Sequence, residues 1–224
     1  IRDLKTKTTS GLMLSSGYGG GTANLEFQAL TGLSMANFDP SLASPYQQLV
    51  PRMNWAPAFN QIWNAEAGGS EAVHPYNPAL YSRAGNYRKF GFRHFYSQKD
   101  PLVADRAKKL DRSHYISDQS AYDSVLALMN GRESGAAGKS GEDGGQFIQL
   151  VTMQNHMGYD DWYDGNQFSV SATGVQPLSA AERTQVDTYA KGMSHTDTAT
   201  RDFLGALDGM DRPVTVTFYG DHLP

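Results

Sequence analysis

Gln146-Phe147-Ile148-Gln149-Leu150-Val151-Thr152-Met153 holds four apolar side chains, Phe147, Ile148, Leu150 and Val151, in a run too short for a helix of ordinary length. A short, nearly continuous apolar run of this kind is what a strand buried on both faces of a parallel sheet requires. A second strand is expected from Pro213 to Phe218, where Val214, Val216 and Phe218 alternate with threonines. Between them, Ser179-Ala180-Ala181-Glu182 has the spacing of a capping box, and apolar or aromatic residues recur at Val186, Tyr189, Met193, Phe203, Leu204 and Leu207. One long helix is predicted there, weakened near Gly192. Strand, helix and strand in that order give a βαβ unit and an α/β fold with a mostly parallel sheet flanked by helices.

Working outward, helices are predicted from Asp118 to Met129, capped by Ser117, and from Pro57 to Glu66, ended by Gly68-Gly69. The stretch Gly131 to Gly145 contains six glycines and no apolar anchor, so it reads as a surface loop rather than a domain linker. No internal repeat is visible, and 224 residues suit one domain spanning 1–224. With 19 basic against 23 acidic side chains and no basic stripe, nothing resembles a nucleic-acid footprint. The absence of cysteine excludes a disulfide scaffold, a thiolate metal site and a cysteine nucleophile. No apolar run approaches the roughly 20 residues that span a bilayer.

Four segments carry chemistry-bearing residues. Gly17-Tyr18-Gly19-Gly20-Gly21-Thr22 is a glycine-rich turn feeding a helix through Leu30 that Gly32 ends. Backbone amides and a helix N-terminus favour an anion at such a place, with Thr22 where a phosphate is best held. A flexible loop with Thr22 as an ordinary N-cap is the plainer alternative, and no lysine precedes the threonine as a Walker pattern demands. Tyr219-Gly220-Asp221-His222 follows the expected second strand, where α/β sheets bind ligands. Asp221 and His222 offer one oxygen and one nitrogen to a metal if the chain turns at Gly220; a polar turn is the alternative. Gln154-Asn155-His156 follows the first strand and so reaches the same sheet edge. In His74-Pro75-Tyr76-Asn77-Pro78-Ala79-Leu80-Tyr81-Ser82-Arg83, Arg83 is able to clamp a phosphate bidentately and Tyr81 to form an apolar wall. His94, His114 and His195 lack such context and read as structural.

Taken in order, these segments resemble the lipoteichoic acid synthase branch of the sulfatase and alkaline-phosphatase superfamily. The resemblance rests on Gly-Gly-Gly-Thr-Ala-Asn-Leu-Glu-Phe at 19–27, Leu30-Thr31-Gly32-Leu33-Ser34, Tyr81-Ser82-Arg83, Gly91-Phe92 with Phe95, Ile116-Ser117-Asp118, Asn155-His156 and Phe218-Tyr219-Gly220-Asp221-His222. It implies an alkaline-phosphatase-like fold truncated at both ends, a nucleophile at Thr22, and metal ligands at Thr22, Asp221 and His222. It also implies phosphoglycerol binding by Arg83 and His156, with Tyr81 and His74 alongside. The family's upstream glutamate ligand has no counterpart before Thr22, where Asp3 is the only acid, and Tyr76 stands where relatives can carry an acidic residue. The resulting expectation is weak metal binding by this stretch of chain.

A threonine hydroxyl is a poor nucleophile near neutral pH, and a divalent cation held by oxygen and nitrogen donors remedies this. Manganese is expected from the resemblance, with magnesium or zinc also compatible with the donors. The implied reaction moves phosphoglycerol from phosphatidylglycerol through Thr22 to a glycolipid or glycerolphosphate-chain acceptor, with His156 carrying protons. The implied setting is the outer face of a Gram-positive bacterial membrane, reached through upstream segments. Competing readings are a phosphoethanolamine transferase, a phosphodiesterase or sulfatase-type hydrolase, and a non-catalytic domain that binds wall polymer. The sulfatase variant lacks its Cys/Ser-x-Pro-x-Arg motif here.

Overall fold

The computed structural model describes residues 3–13, 15, 17–18, 20–65, 69–133, 145–171, 174 and 176–223. In chain order its elements are β1 (Gly17–Tyr18), α1 (Thr22–Thr31), α2 (Pro45–Gln48), α3 (Gln61–Ala65), β2 (Ser70–His74), α4 (Arg83–Lys89), β3 (His94–Ser97), α5 (Pro101–Ala104), α6 (Asp118–Glu133), β4 (Phe147–Leu150), α7 (Ala180–Asp208) and β5 (His222–Leu223).

The main sheet has the order β3-β2-β4 and is parallel throughout, with Ala72 facing Phe95 on one side and Gln149 on the other. Every residue of the central strand β2 is buried. Successive strand side chains point to opposite faces, and here that rule divides the core. Ala72 joins a cluster with Phe27, Leu30, Tyr46, Val50, Tyr87 and Phe90 from α1, α2, α4 and the turns that follow α2 and α4. Val73 joins a second cluster with Tyr122, Val125, Leu128, Ala199, Phe203 and Leu207 from α6 and α7. Two helical layers thus sandwich a parallel sheet, and each large buried side chain contributes roughly 1.5–3 kcal/mol. Between α6 and α7 the rings of Tyr122 and Phe203 stack at 4.5 Å, and the Tyr122 hydroxyl meets Thr200 Oγ1 at 3.0 Å.

The α/β fold class holds, while three local expectations do not. The run expected to be buried on both faces forms β4, but as an edge strand among the described residues, half-buried along its length. Residues 213–218 form no strand: they make no ladder among the described residues, and Val216 and Phe218 are exposed while Val214 packs on the second cluster. Alternating β-branched residues supply propensity, but a strand also needs a partner at ladder distance. Nor is α7 weakened at Gly192. A Cβ there would stand 2.5 Å from Asn155 Oδ1, so the glycine lets the helix approach the loop after β4. The Ser179/Glu182 capping box forms as the spacing predicts. The helix expected over Pro57 to Glu66 narrows to α3, and residues 134–144 of the glycine-rich loop lie outside the described residues.

Candidate active site

The glycine-rich turn owes its glycines to close backbone approach. A Cβ on Gly17 would meet Gly20 O at 2.4 Å, and Gly21 sits at φ 109°, a left-handed conformation. Gly21 is the N-cap of α1, so Thr22 is the first helical residue rather than the cap. Its hydroxyl, not needed by its own helix, donates to Asp221 Oδ2 at 2.6 Å. That meeting is arranged by a second, two-stranded parallel sheet in which Gly17 pairs with His222 and Tyr18 with Leu223, while Ser15 Oγ donates to the Asp221 carbonyl. His222 Nε2 lies 3.5 Å from the same Asp221 Oδ2. The Asp221 side chain is 40% exposed and that of His222 11%. Thr22, Asp221 and His222 therefore converge on one point, with Asp221 open to solvent.

Oxygen, oxygen and nitrogen on one corner fit a divalent cation of the manganese, magnesium or zinc type in donor chemistry. Among the described residues no cluster of three or more His, Asp or Glu side chains is placed to hold a metal, so Thr22, Asp221 and His222 alone would make up only part of a coordination sphere.

One turn beyond Thr22, on the same face of α1, Glu26 is buried and receives Arg83 Nε at 3.1 and 3.2 Å and Arg83 Nη2 at 2.5 Å. Tyr87 donates its hydroxyl to the other carboxylate oxygen. Burial opposes the Arg83 charge, but the Glu26 carboxylate overcomes that and holds the guanidinium firmly protonated. Arg83 is 1% exposed, and among the described residues its Nη1 makes no hydrogen bond. Its guanidinium stands 5.5 Å from the centre of the Tyr81 ring. Tyr81 and Ser82 both have positive φ, 56° and 55°, a conformation that costs about 1–3 kcal/mol per residue and concentrates at functional sites.

His74 ends the central strand and is fully buried. Nδ1 lies 2.8 Å from the Val151 carbonyl, which only accepts, so Nδ1 carries the proton and Nε2 presents a lone pair without a partner. Burial, followed by the Arg83 charge, lowers its pKa to about 3 and keeps it neutral. His156 follows β4, where its Nδ1 lies 3.2 Å from the Tyr115 hydroxyl, and its charge contributes to the lowering at His74. The preceding Gln154 and Asn155 are tied down: both amides donate to Thr196 Oγ1, at 3.0 and 2.7 Å, and Thr196 donates to the buried Asp118 at 2.5 Å. Burial pushes the Asp118 carboxyl up.

The sequence-derived candidates thus form two groups: Thr22, Asp221 and His222 in one contact set, and a second set of His74 at the end of β2, Tyr81 and Arg83 at the start of α4, and His156 in the loop after β4. Glu26 bridges them and sequence reasoning passed over it, although a 3.6-residue period sets it beside Thr22. His114, read as structural, is exposed and lines a cavity beside Tyr76. No described helix is long and apolar enough to cross a membrane.

The family model described as Sulfatase matches residues 1–224. Two proteins of Rhizobium meliloti (strain 1021) are similar: a putative cyclic beta-1,2-glucan modification protein, 29% identical over all of this chain, and the capsular polysaccharide biosynthesis protein RkpI, 26% identical over 92% of it. The chain spans about a third of each, 31% and 33%. Among solved structures, Streptococcus pyogenes phosphoglycerol transferase GacH in complex with sn-glycerol-1-phosphate is 31% identical, with a TM-score of 0.83 over 100% of this chain and 54% of its own. The lipoteichoic acid synthase LtaP from Listeria monocytogenes shares the fold at a TM-score of 0.60 and 18% identity, over 84% of this chain and 40% of its own. A family match that spans every residue, on a fold shared with both solved structures, makes this protein a member of the sulfatase family.

Proposed function

We propose that this domain transfers phosphoglycerol from phosphatidylglycerol to a hydroxyl of an extracellular polysaccharide, through a covalent phosphoglycerol-Thr22 intermediate. The observation that carries the reading is the Thr22 hydroxyl at the start of α1, bonded to Asp221 with His222 alongside. Similarity to the phosphoglycerol transferase GacH supports the group transferred. The glucan and capsular-polysaccharide names of the two Rhizobium relatives support a glycan acceptor over a pure glycerolphosphate chain.

Asp221, His222 and Thr22 would hold the divalent cation, manganese by family resemblance. When bound, such an ion favours the alkoxide and neutralises phosphate charge. Thr22 Oγ attacks phosphorus as its proton passes toward Asp221 Oδ2, the atom that already accepts its hydrogen bond. The bond from phosphorus to the diacylglycerol oxygen breaks, and that oxygen leaves as the alcohol after taking a proton from His156. The acceptor hydroxyl then attacks phosphorus and gives its proton to His156, the bond from phosphorus to Thr22 Oγ breaks, and Asp221 Oδ2 returns its proton to Thr22 Oγ. Arg83 Nη1, buried and unpartnered, is the donor available for a phosphate oxygen. The neutral Nε2 of His74 is the acceptor available for a glycerol hydroxyl.

The test is mass spectrometry of the Thr22 peptide after the complete protein is incubated with phosphatidylglycerol and manganese. A phosphoglycerol adduct on Thr22, absent in Thr22→Ala, is the expected result. Full turnover by Thr22→Ala would refute the assignment.

A further inference from the structure

Immediately beyond the carboxyl ends of the neighbouring parallel strands β2 and β3 lies a cavity of about 420 Å³. Ligands of open α/β sheets bind outside strand carboxyl ends, so its position alone marks it. Tyr76, Gln98, Lys99, Lys109, His114 and Ile116 line it, and none of its lining residues is acidic. In a chain of net charge −4 this is a local reversal of sign. Lys99 and Lys109 are exposed and neither is paired with a carboxylate among the described residues. The adjacent Asp100 is occupied, accepting from Ser97 N at 2.6 Å and Ser97 Oγ at 2.8 Å.

From this cavity a strip of half-buried tyrosines runs as far as Tyr189 on α7. Tyr76 packs on Tyr115 at 5.9 Å; Trp162, buried beneath, touches both Tyr115 and Tyr159 at 5.6 and 5.9 Å; Tyr159 meets Tyr189 at 5.5 Å. Burial, and after it the Asp221 charge, raises the Tyr189 phenol. Tyrosine rings with polar tips suit a sugar, whose C–H faces are apolar and whose edges carry hydroxyls.

We infer that the cavity and the tyrosine strip are the acceptor subsite, and that it takes an anionic glycan whose sugar rings lie on Tyr76 and Tyr115 while a phosphodiester substituent sits between Lys99 and Lys109. The inference rests on the phosphoglycerol-transfer reading, because that reaction installs such substituents on the chain it acts on. Recognition of a substituent already in place favours further transfer to a partly modified glycan.

Calorimetry on the complete protein tests this with three probes: a glucan oligosaccharide bearing one phosphoglycerol group, the same oligosaccharide unsubstituted, and phosphatidylglycerol vesicles. The substituted oligosaccharide is expected to bind about tenfold more tightly than the neutral one, and the paired change Lys99→Glu with Lys109→Glu to remove that preference. Tyr76→Ala should weaken both oligosaccharides alike. Both lysines are exposed, and a melting curve checks that the charge-reversed protein remains folded. Equal affinities, or a preference that survives the charge reversal, would overturn the inference. So would vesicle binding that falls with the lysines, which would make this a lipid-headgroup site. Thr22→Ala removes transfer and leaves the preference intact, so the nucleophile and the acceptor subsite fail or stand separately.

Discussion

Two carboxylates flank the start of α1 and are treated in opposite ways. Glu26 is 3% exposed and spends both oxygens on Arg83 and Tyr87, whereas the Asp221 side chain is 40% exposed and, among the described residues, meets the Thr22 hydroxyl and the edge of His222. A buried charge is tolerable when fully paired, and breaking its pair is far more costly than never having buried it. Glu26 and Arg83 therefore form the fixed floor of the site. Asp221 keeps lone pairs free for chemistry.

The sharpest way to break this comparison is Glu26→Ala, which strands a buried guanidinium. It should cost about 3–5 kcal/mol by urea unfolding. A loss near 1 kcal/mol would show the pair to be solvated and the contrast false. Next in size is a pH effect at the same floor. His74 has its pKa depressed to about 3, so as pH falls below 6.5 the unfolded chain takes up a proton that the folded chain refuses. Stability from this group is whole above the unfolded value and is lost at up to about 1.4 kcal/mol per pH unit as pH falls toward 3. Between pH 6.5 and 5 the loss should reach about 2 kcal/mol. His74→Gln should flatten the slope, and an unchanged slope would show that the imidazole titrates in the folded state. Smallest should be the stability effect at the open corner: Asp221→Asn and Thr22→Ala within about 1 kcal/mol of the parent, with transfer lost in both. Unfolding by either would place these residues in the framework instead.

The elements legible in the sequence are those written in local code. The capping box of α7, Gly32 ending α1, Ser117 accepting from Ser120 N at the start of α6, and the apolar run of β4 each need only neighbouring residues to be read. The central strand β2 was not legible, since Ser-Glu-Ala-Val-His shows no apolar run. Its polar side chains are buried because distant residues satisfy them: Ser70 meets Asn60 and Asn64, Glu71 receives Gln146, and His74 meets the Val151 carbonyl. The same absence of local signal hid Glu26, whose meaning lies in Arg83 and Tyr87, 57 and 61 positions away. Residues 213–218 failed in the other direction, with strand composition and no partner. Of the candidate site, Thr22, Asp221, His222, His74, Arg83, Tyr81 and His156 stand out as candidates in the ordered motifs, but their division into an open corner and a buried floor required the packing.

The pairing of Gly17 with His222 sets an order of events. Thr22 and Asp221 are 199 positions apart, and closing so long a loop costs chain entropy that a two-residue ladder cannot repay until the intervening layers have packed. The Thr22–Asp221 corner is therefore expected to assemble late and to open early. During synthesis the hydroxyl has no acid partner until residue 221 has emerged, by which time the Glu26–Arg83 floor is already encoded and able to fold. Hydrogen exchange should show weak protection at Gly17, Tyr18, His222 and Leu223 beside strong protection in β2, so that under the proposed function a partly opened chain would lose the Thr22–Asp221 contact before it lost its sheet.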